Sequence, residues 1–224
     1  MSASAADARA ITRRLLQVFP KPRLELEFSN PLELLVATML SAQSTDERVN
    51  RVTRDLFRKY RNADDYARAR VQTLEKDIRS SGFYKVKARR LKECGRMLVD
   101  QYAGHVPGTL EELTRLPGVG RKTANMVLGN AFGKQTIAVD THVLRVSNRL
   151  GLVRSKDAAE VEQALLEQVP RNRRTAFTNA MILHGRRICT ARRPTCCECT
   201  LYEYCHWAEK PRCADAQGTE GRSA

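Results

Sequence analysis

The 224-residue chain carries 39 Lys+Arg against 25 Asp+Glu, a formal net charge of +14, with 42% apolar residues and seven cysteines. That apolar share is enough for a buried core and argues against gross disorder, and the longest uncharged run, Leu34 to Thr45, falls well short of the ~20 residues needed to span a bilayer. The N-terminal stretch Met1-Ser-Ala-Ser-Ala-Ala-Asp lacks the apolar heart of a signal peptide, so the chain reads as intracellular, where clustered cysteines hold metal more often than disulfides.

Helical periodicity dominates. Ala6 to Phe19 places Ile11, Leu15, Leu16 and Phe19 on one stripe that stops at Pro20. Asn30-Pro31-Leu32-Glu33 is a start signal with an N-cap, a first-turn proline and an acid at the reciprocal capping position, opening an almost wholly apolar helix over Leu34–Leu40. Amphipathic helices follow over Glu47–Tyr60, Val71–Ser80 and Lys85–Tyr102. Thr109-Leu110-Glu111-Glu112 opens a short helix that ends at Leu116-Pro117, and Arg121–Phe132, Thr141–Leu150, Ala158–Val169 and Arg174–Arg187 complete the set. Gln135–Val139 reads as an extended connector. The expected fold class is all-α, and the Gly/Ser/Ala-rich segment 213–224 reads as a disordered tail.

Three features carry chemistry. Leu116-Pro117-Gly118-Val119-Gly120 lies between two helices, where paired glycines allow a tight turn with outward-facing amides and Val119 anchors it inward. Such a turn before a helix N-terminus receives a phosphate oxygen. Lys122 then sits in the first turn of the following helix, beside Arg121, where the macrodipole disfavours a second positive charge. A free lysine is only ~0.1% neutral near pH 7.4, so depressing its pKa produces a nucleophile. Asp140 stands where it would cap the helix from Thr141, which fixes a carboxylate in space.

The third feature is Cys189, Cys196, Cys199 and Cys205, spaced C-x6-C-x2-C-x5-C, a pattern that suits a tetrahedral zinc or a [4Fe–4S] cluster. Cys197 is an extra neighbour, and Cys94 and Cys213 read as free thiols. Arg171 to Arg193 holds seven arginines and no acid, with Arg192 and Arg193 inside the first cysteine loop. Ordered by the cysteines, that basic loop could lie against a phosphate backbone.

Leu116-Pro-Gly-Val-Gly-Arg-Lys-Thr-Ala-Asn resembles the helix-hairpin-helix and catalytic lysine of the endonuclease III family. Val139-Asp140-Thr141-His142-Val143-Leu144-Arg145-Val146 is similar to its catalytic-aspartate segment, and Leu40-Ser-Ala-Gln-Ser-Thr-Asp46 to its N-terminal signature. The cysteine spacing likewise resembles the family's iron–sulfur loop. The resemblance implies a two-lobed fold: a helical barrel over 24–134, and a cluster domain joining 1–23 to 135–212. The expected partner is double-stranded DNA with oxidised bases or abasic sites, with no membrane, the expected state is a monomer and the expected location cytoplasmic or nucleoid-associated. The resemblance further implies a bifunctional glycosylase and lyase in which Lys122 attacks the sugar and Asp140 assists, with Gln43 filling the gap left by the extruded base. Gly118, Val119, Gly120, Arg121, His142, Arg192 and Arg193 are expected at the DNA. Phe83 and Tyr84, an aromatic pair in a loop, are candidates for a wedge into the stack, where the family pattern has Leu at the position of Phe83. The rivals are a monofunctional adenine glycosylase, disfavoured by the presence of Lys122 and the lack of an acid in Leu34–Gln43, and a non-catalytic zinc-containing DNA-binding protein, which leaves Lys122 and Asp140 to coincidence.

Overall fold

The computed structural model describes residues 5–213; of the tail expected over 213–224, Cys213 is described and 214–224 lie outside the described residues. The described residues form eleven α-helices and four short 3-10 turns, with no strand, so the fold class is all-α. They fall into two compact units, one spanning Arg23–Ala138 and the other joining the N-terminal residues through Pro22 to the chain from Val139 onward. Residues 135–138, assigned by the sequence reading to the cluster domain, go with the first unit, where Thr136 donates its hydroxyl to the Asn125 carbonyl at 2.7 Å.

In the Arg23–Ala138 unit the helices are α2 (Pro31–Leu40), α3 (Asp46–Lys59), α4 (Ala63–Arg68), α5 (Val71–Asp77), α6 (Tyr84–Tyr102), α7 (Leu110–Arg115) and α8 (Arg121–Ala131). Every residue from Leu34 to Leu40 is buried, as expected of a helix that is apolar all round, and α2 packs against α3, α6 and α8. Its start follows the expected chemistry with one shift. The Asn30 side chain accepts from the Glu33 amide at 2.9 Å, whereas the Glu33 carboxylate reaches past Asn30 to accept from the Ser29 amide at 2.6 Å.

Helix α4 was not foreseen. It is one and a half turns long, too short for a periodic stripe, and rests on a capping box between Asn62 and Asp65. Tyr66 buries itself in the core and stacks on Tyr60 at 5.0 Å. The crossing of α4 over α6 is close: a Cβ on Gly95 would lie 2.8 Å from Tyr66 Cβ and 2.9 Å from the Ala63 carbonyl oxygen. The Val71–Ser80 helix ends earlier than expected, at Asp77, and the chain tightens into a 3-10 turn over Arg79–Ser81.

The second unit contains α1 (Ala5–Val18), α9 (Thr141–Arg149), α10 (Ala158–Gln168) and α11 (Arg174–Arg187). Helix α11 is its centre, buried continuously from Phe177 to Gly185 and packed on α1 and α9. Asn179 ties it to the end of the N-terminal segment, donating to the Pro22 carbonyl at 3.2 Å. The chain then runs through the cysteine segment in short turns. No described helix is long and apolar enough to cross a membrane.

Candidate active site and cysteine centre

Leu116 to Gly120 forms the turn between α7 and α8. Gly118 takes φ +81°, and a Cβ there would come within 3.1 Å of both Arg90 Cβ and Met39 Cε, so both backbone and neighbours require glycine. Val119 is buried in the core, as expected, but its amide donates to the Leu116 carbonyl at 3.0 Å. That amide is spent within the turn and does not face outward, because closing so tight a turn takes an internal hydrogen bond. Gly120 differs from Gly118. It caps α8 at φ −89°, which any residue adopts, and its missing side chain would meet open space. Protein packing gives no reason for glycine there.

Lys122 is the second residue of α8 and half-buried, with Arg121 exposed before it. Asp140 caps α9 as expected. Its Oδ1 accepts from the amides of His142 and Val143, each at 2.8 Å, which holds the carboxylate in one orientation and commits only one oxygen. His142 is half-buried, its Nδ1 lies 3.2 Å from an Arg145 guanidinium nitrogen, and α11 comes so close that a Cβ on Gly185 would be 2.8 Å from His142 Cβ. Burial first, and then the charges of Arg145 and Arg186, lower the His142 pKa against the pull of Asp140.

Gln43 lies beyond α2 rather than at its end. Ser41 closes the helix, and Gln43 is exposed in a left-handed conformation, φ 54°. The aromatic pair separates. Phe83 precedes α6 at φ 48° and is 64% exposed, and Val86, one turn further, is also exposed. Tyr84 is half-buried and packs against the apolar core. Sequence gave no means of telling the two rings apart, since Gly82 at φ +72° and Phe83 together turn the chain before the helix begins.

The four expected cysteines line one small pocket, partly open to solvent, together with Arg149, His184 and Trp207. All four are free thiols. Burial pushes the Cys199 thiol up to about 11, and the Cys196 thiol is raised by burial and by neighbouring Cys189 and Cys205. His184 is buried, its pKa lowered to about 4, with Nε2 3.7 Å from Cys199 Sγ. Among the described residues no three His, Cys, Asp or Glu side chains form a group that could hold a metal ion. Arg192 and Arg193 are exposed in the loop between the first two cysteines.

One expectation is corrected. Cys213 is not a free thiol: it forms a disulfide with Cys197, their Cα atoms 5.3 Å apart. Cys197 sits on the exposed side of the 3-10 turn Cys196–Glu198, away from the cavity, and the chain after Lys210 folds back over that side, with the Tyr202 hydroxyl donating to the Pro211 carbonyl at 2.9 Å. Cys94 is buried in α6, its thiol pushed up to about 12 by burial.

Sequence reasoning missed Arg145, Arg149, Trp207 and Lys87. Arg145 reaches from α9 to the Cys189 and Gly185 carbonyls at 3.0 and 2.8 Å. The spacing of Arg145 and Arg149, one helical turn apart, was a visible signal; nothing in the sequence marked Lys87.

A family profile described as HhH-GPD superfamily base excision DNA repair protein matches residues 36–171. The class is therefore a helix-hairpin-helix base excision repair protein. The endonuclease III of Bacillus subtilis is 47% identical over 194 residues, covering 86% of this chain and 89% of that protein, and that of Synechocystis is 42% identical over 210 residues, covering 93% and 96%. A solved structure of a trapped endonuclease III–DNA covalent intermediate superposes with a TM-score of 0.88 at 45% identity, covering 91% of this chain and 96% of that one. Within that superfamily, the chain belongs to the endonuclease III family.

Proposed function

We propose that this protein is a bifunctional DNA glycosylase and abasic-site lyase that removes oxidised pyrimidines from duplex DNA, acting as a monomer. The observation that carries the reading is Lys122 in the first turn of α8, directly behind a hairpin whose outer glycine faces open space. The relative trapped as a covalent DNA intermediate supports a nucleophilic route.

In this reading the Gly118–Gly120 hairpin and Arg121 receive a backbone phosphate, and a damaged base is extruded at a cost of a few kcal/mol. Phe83 enters the stack as the wedge, and Gln43 fills the vacated position. Tyr84, committed to the core, supports the loop from within. The neutral Lys122 amine attacks the sugar C1′; the C1′–base bond breaks, the base leaves with its electron pair and takes up a proton. Ring opening gives an imine between Lys122 and C1′. The imine acidifies the C2′ proton, its removal expels the 3′-phosphate by β-elimination, and water then hydrolyses the imine to release Lys122. Asp140, fixed by the α9 cap, favours deprotonation of the amine and steadies positive charge that develops at the sugar. His142, Arg192 and Arg193 contact phosphates.

Cys189, Cys196, Cys199 and Cys205 fit a [4Fe–4S] cluster. Cluster ligands bind separate iron atoms, which suits four free thiols around one cavity that do not gather into a single-ion group. The bound cluster would supply folding energy to a segment built of short turns. Cys197, held in its disulfide, stands outside the ligand set.

Borohydride reduction in the presence of DNA carrying thymine glycol or an abasic site tests the mechanism. A covalent adduct that disappears in Lys122→Gln is the expected result; no adduct with the unmodified protein on either substrate overturns it. Iron and acid-labile sulfide analysis of the purified protein tests the cluster, and stoichiometric zinc in their place overturns it.

A further inference from the structure

Three non-glycine residues among those described have positive φ: Gln43, Phe83 and Ala103. Ala103 is the left-handed stop of the long helix α6. The other two belong to separate loops, and each conformation costs of the order of 1 kcal/mol unless the surroundings impose it. One side chain contacts the start of both loops. Lys87 on α6 is buried, and its ammonium donates to the Leu40 carbonyl at 2.7 Å and the Ser81 carbonyl at 2.8 Å. Leu40 is the last residue of α2, three before Gln43; Ser81 is the last residue of the 3-10 turn, two before Phe83.

We propose that Lys87 is a positioning residue that locks the Gln43 loop and the Phe83 loop to each other, so that the gap-filling and wedge side chains enter the DNA stack in fixed register. The inference rests on the reading of Gln43 and Phe83 as the residues that act on the duplex. Both carbonyls close helical segments, where the backbone dipole favours a cation and where acceptors lack helical partners. Lys87 has two carbonyls and no carboxylate as partners, and burial alone lowers its pKa. A buried charge compensated only by carbonyls is a costly way to fill space, and an apolar side chain of that length would fill it more cheaply. What an apolar side chain lacks is the ability to hold two loop origins at once.

Lys87→Met keeps the stem and removes the donors. With thymine glycol in duplex DNA, excision should fall about 10- to 100-fold, the scale of an ångström-sized misplacement. The fluorescence rise of 2-aminopurine placed opposite the lesion, which reports unstacking, should be lost with it. Borohydride trapping at a preformed abasic site, where no base has to leave the stack, should fall by a smaller factor, and Lys87→Arg should recover part of both signals. A double variant with Phe83→Ala should be little worse than the more damaged single variant, as expected of residues acting through one element. Should Lys87→Met not fold, Lys87→Gln gives the same comparison, because its shorter side chain reaches at most one carbonyl.

Wild-type excision and fluorescence in these variants, or equal losses in excision and trapping, overturn the proposal. Gln43→Ala and Phe83→Ala separate it from the reading beneath. If both leave excision and fluorescence intact, that reading fails and the proposal with it. If they impair both while Lys87→Met does not, only the role of Lys87 falls.

Discussion

The guanidinium of Arg149 lies 3.9 Å from the centroid of the Trp207 ring, joining α9 to the chain just past Cys205. The same side chain donates to the Thr190 and Ala191 carbonyls at 2.8 and 3.1 Å and to Cys189 Sγ at 3.3 Å. Its own carbonyl accepts from the His206 amide at 2.8 Å. Arg149 therefore grips the cysteine segment at both ends. If the centre holds the proposed [4Fe–4S] cluster, Arg149→Ala should shorten the lifetime of its absorbance under mild oxidation and lower the melting temperature. Trp207→Ala should do less, since a cation–π contact contributes about 0.5–2 kcal/mol. An unchanged bleaching half-life in Arg149→Ala would remove this residue from the account of the centre.

The two hairpin glycines should respond oppositely to alanine. Gly118→Ala forces a Cβ into the left-handed region and against Arg90 and Met39 at 3.1 Å, so it should destabilise the fold by about 1–3 kcal/mol. Gly120→Ala meets open space at an ordinary φ, and its stability should stay within about 0.5 kcal/mol of the parent. Its loss should appear in affinity for duplex DNA, measured by anisotropy across a salt series. Unaltered DNA affinity in Gly120→Ala would mean that no phosphate approaches this turn.

How much of this was legible follows from which interactions are local. The α2 start, the α9 cap at Asp140 and the apolar run Leu34–Leu40 are written in neighbouring residues, and the structure places them nearly as read. Helix α4 escaped because six residues carry no period and its stability comes from Tyr66 packing on α6. The division of labour between Phe83 and Tyr84 turns on two successive positive φ values that only the packed loop imposes. The four cysteines that line one pocket were readable from spacing, whereas the pairing of Cys197 with Cys213 depends on a fold-back of the chain that spacing does not encode. Lys87 looked like one more basic residue of an amphipathic helix, and its partners are 47 and 6 residues away.

Asp140 combines a structural and a chemical role that two substitutions separate. Asparagine caps a helix about as well as aspartate, so Asp140→Asn should leave thermal stability close to the parent, whereas Asp140→Ala should cost about 1 kcal/mol. Both remove the charge, and both should lose excision by a similar factor, of the order of 10²-fold or more. Melting curves beside single-turnover excision rates read the two effects. Asp140→Asn that excises at the parent rate would confine this residue to capping.

His142 gives a prediction with a definite sign in pH. Its pKa in the folded protein is lowered, chiefly by burial and then by Arg145 and Arg186, while the unfolded chain titrates near about 6.5. The folded state thus favours the neutral ring. The resulting stability is fully present above about pH 6.5, falls as the unfolded state takes up its proton, and is lost as pH drops through the folded value. A His142→Gln variant, which cannot titrate, should lose less stability between pH 7.5 and 5 than its parent in urea unfolding. The ring Cε1–H resonance of His142 should titrate with a midpoint below 6.5. A midpoint at or above that value would show that Asp140, two residues away and capping the same helix, outweighs burial and the two arginines.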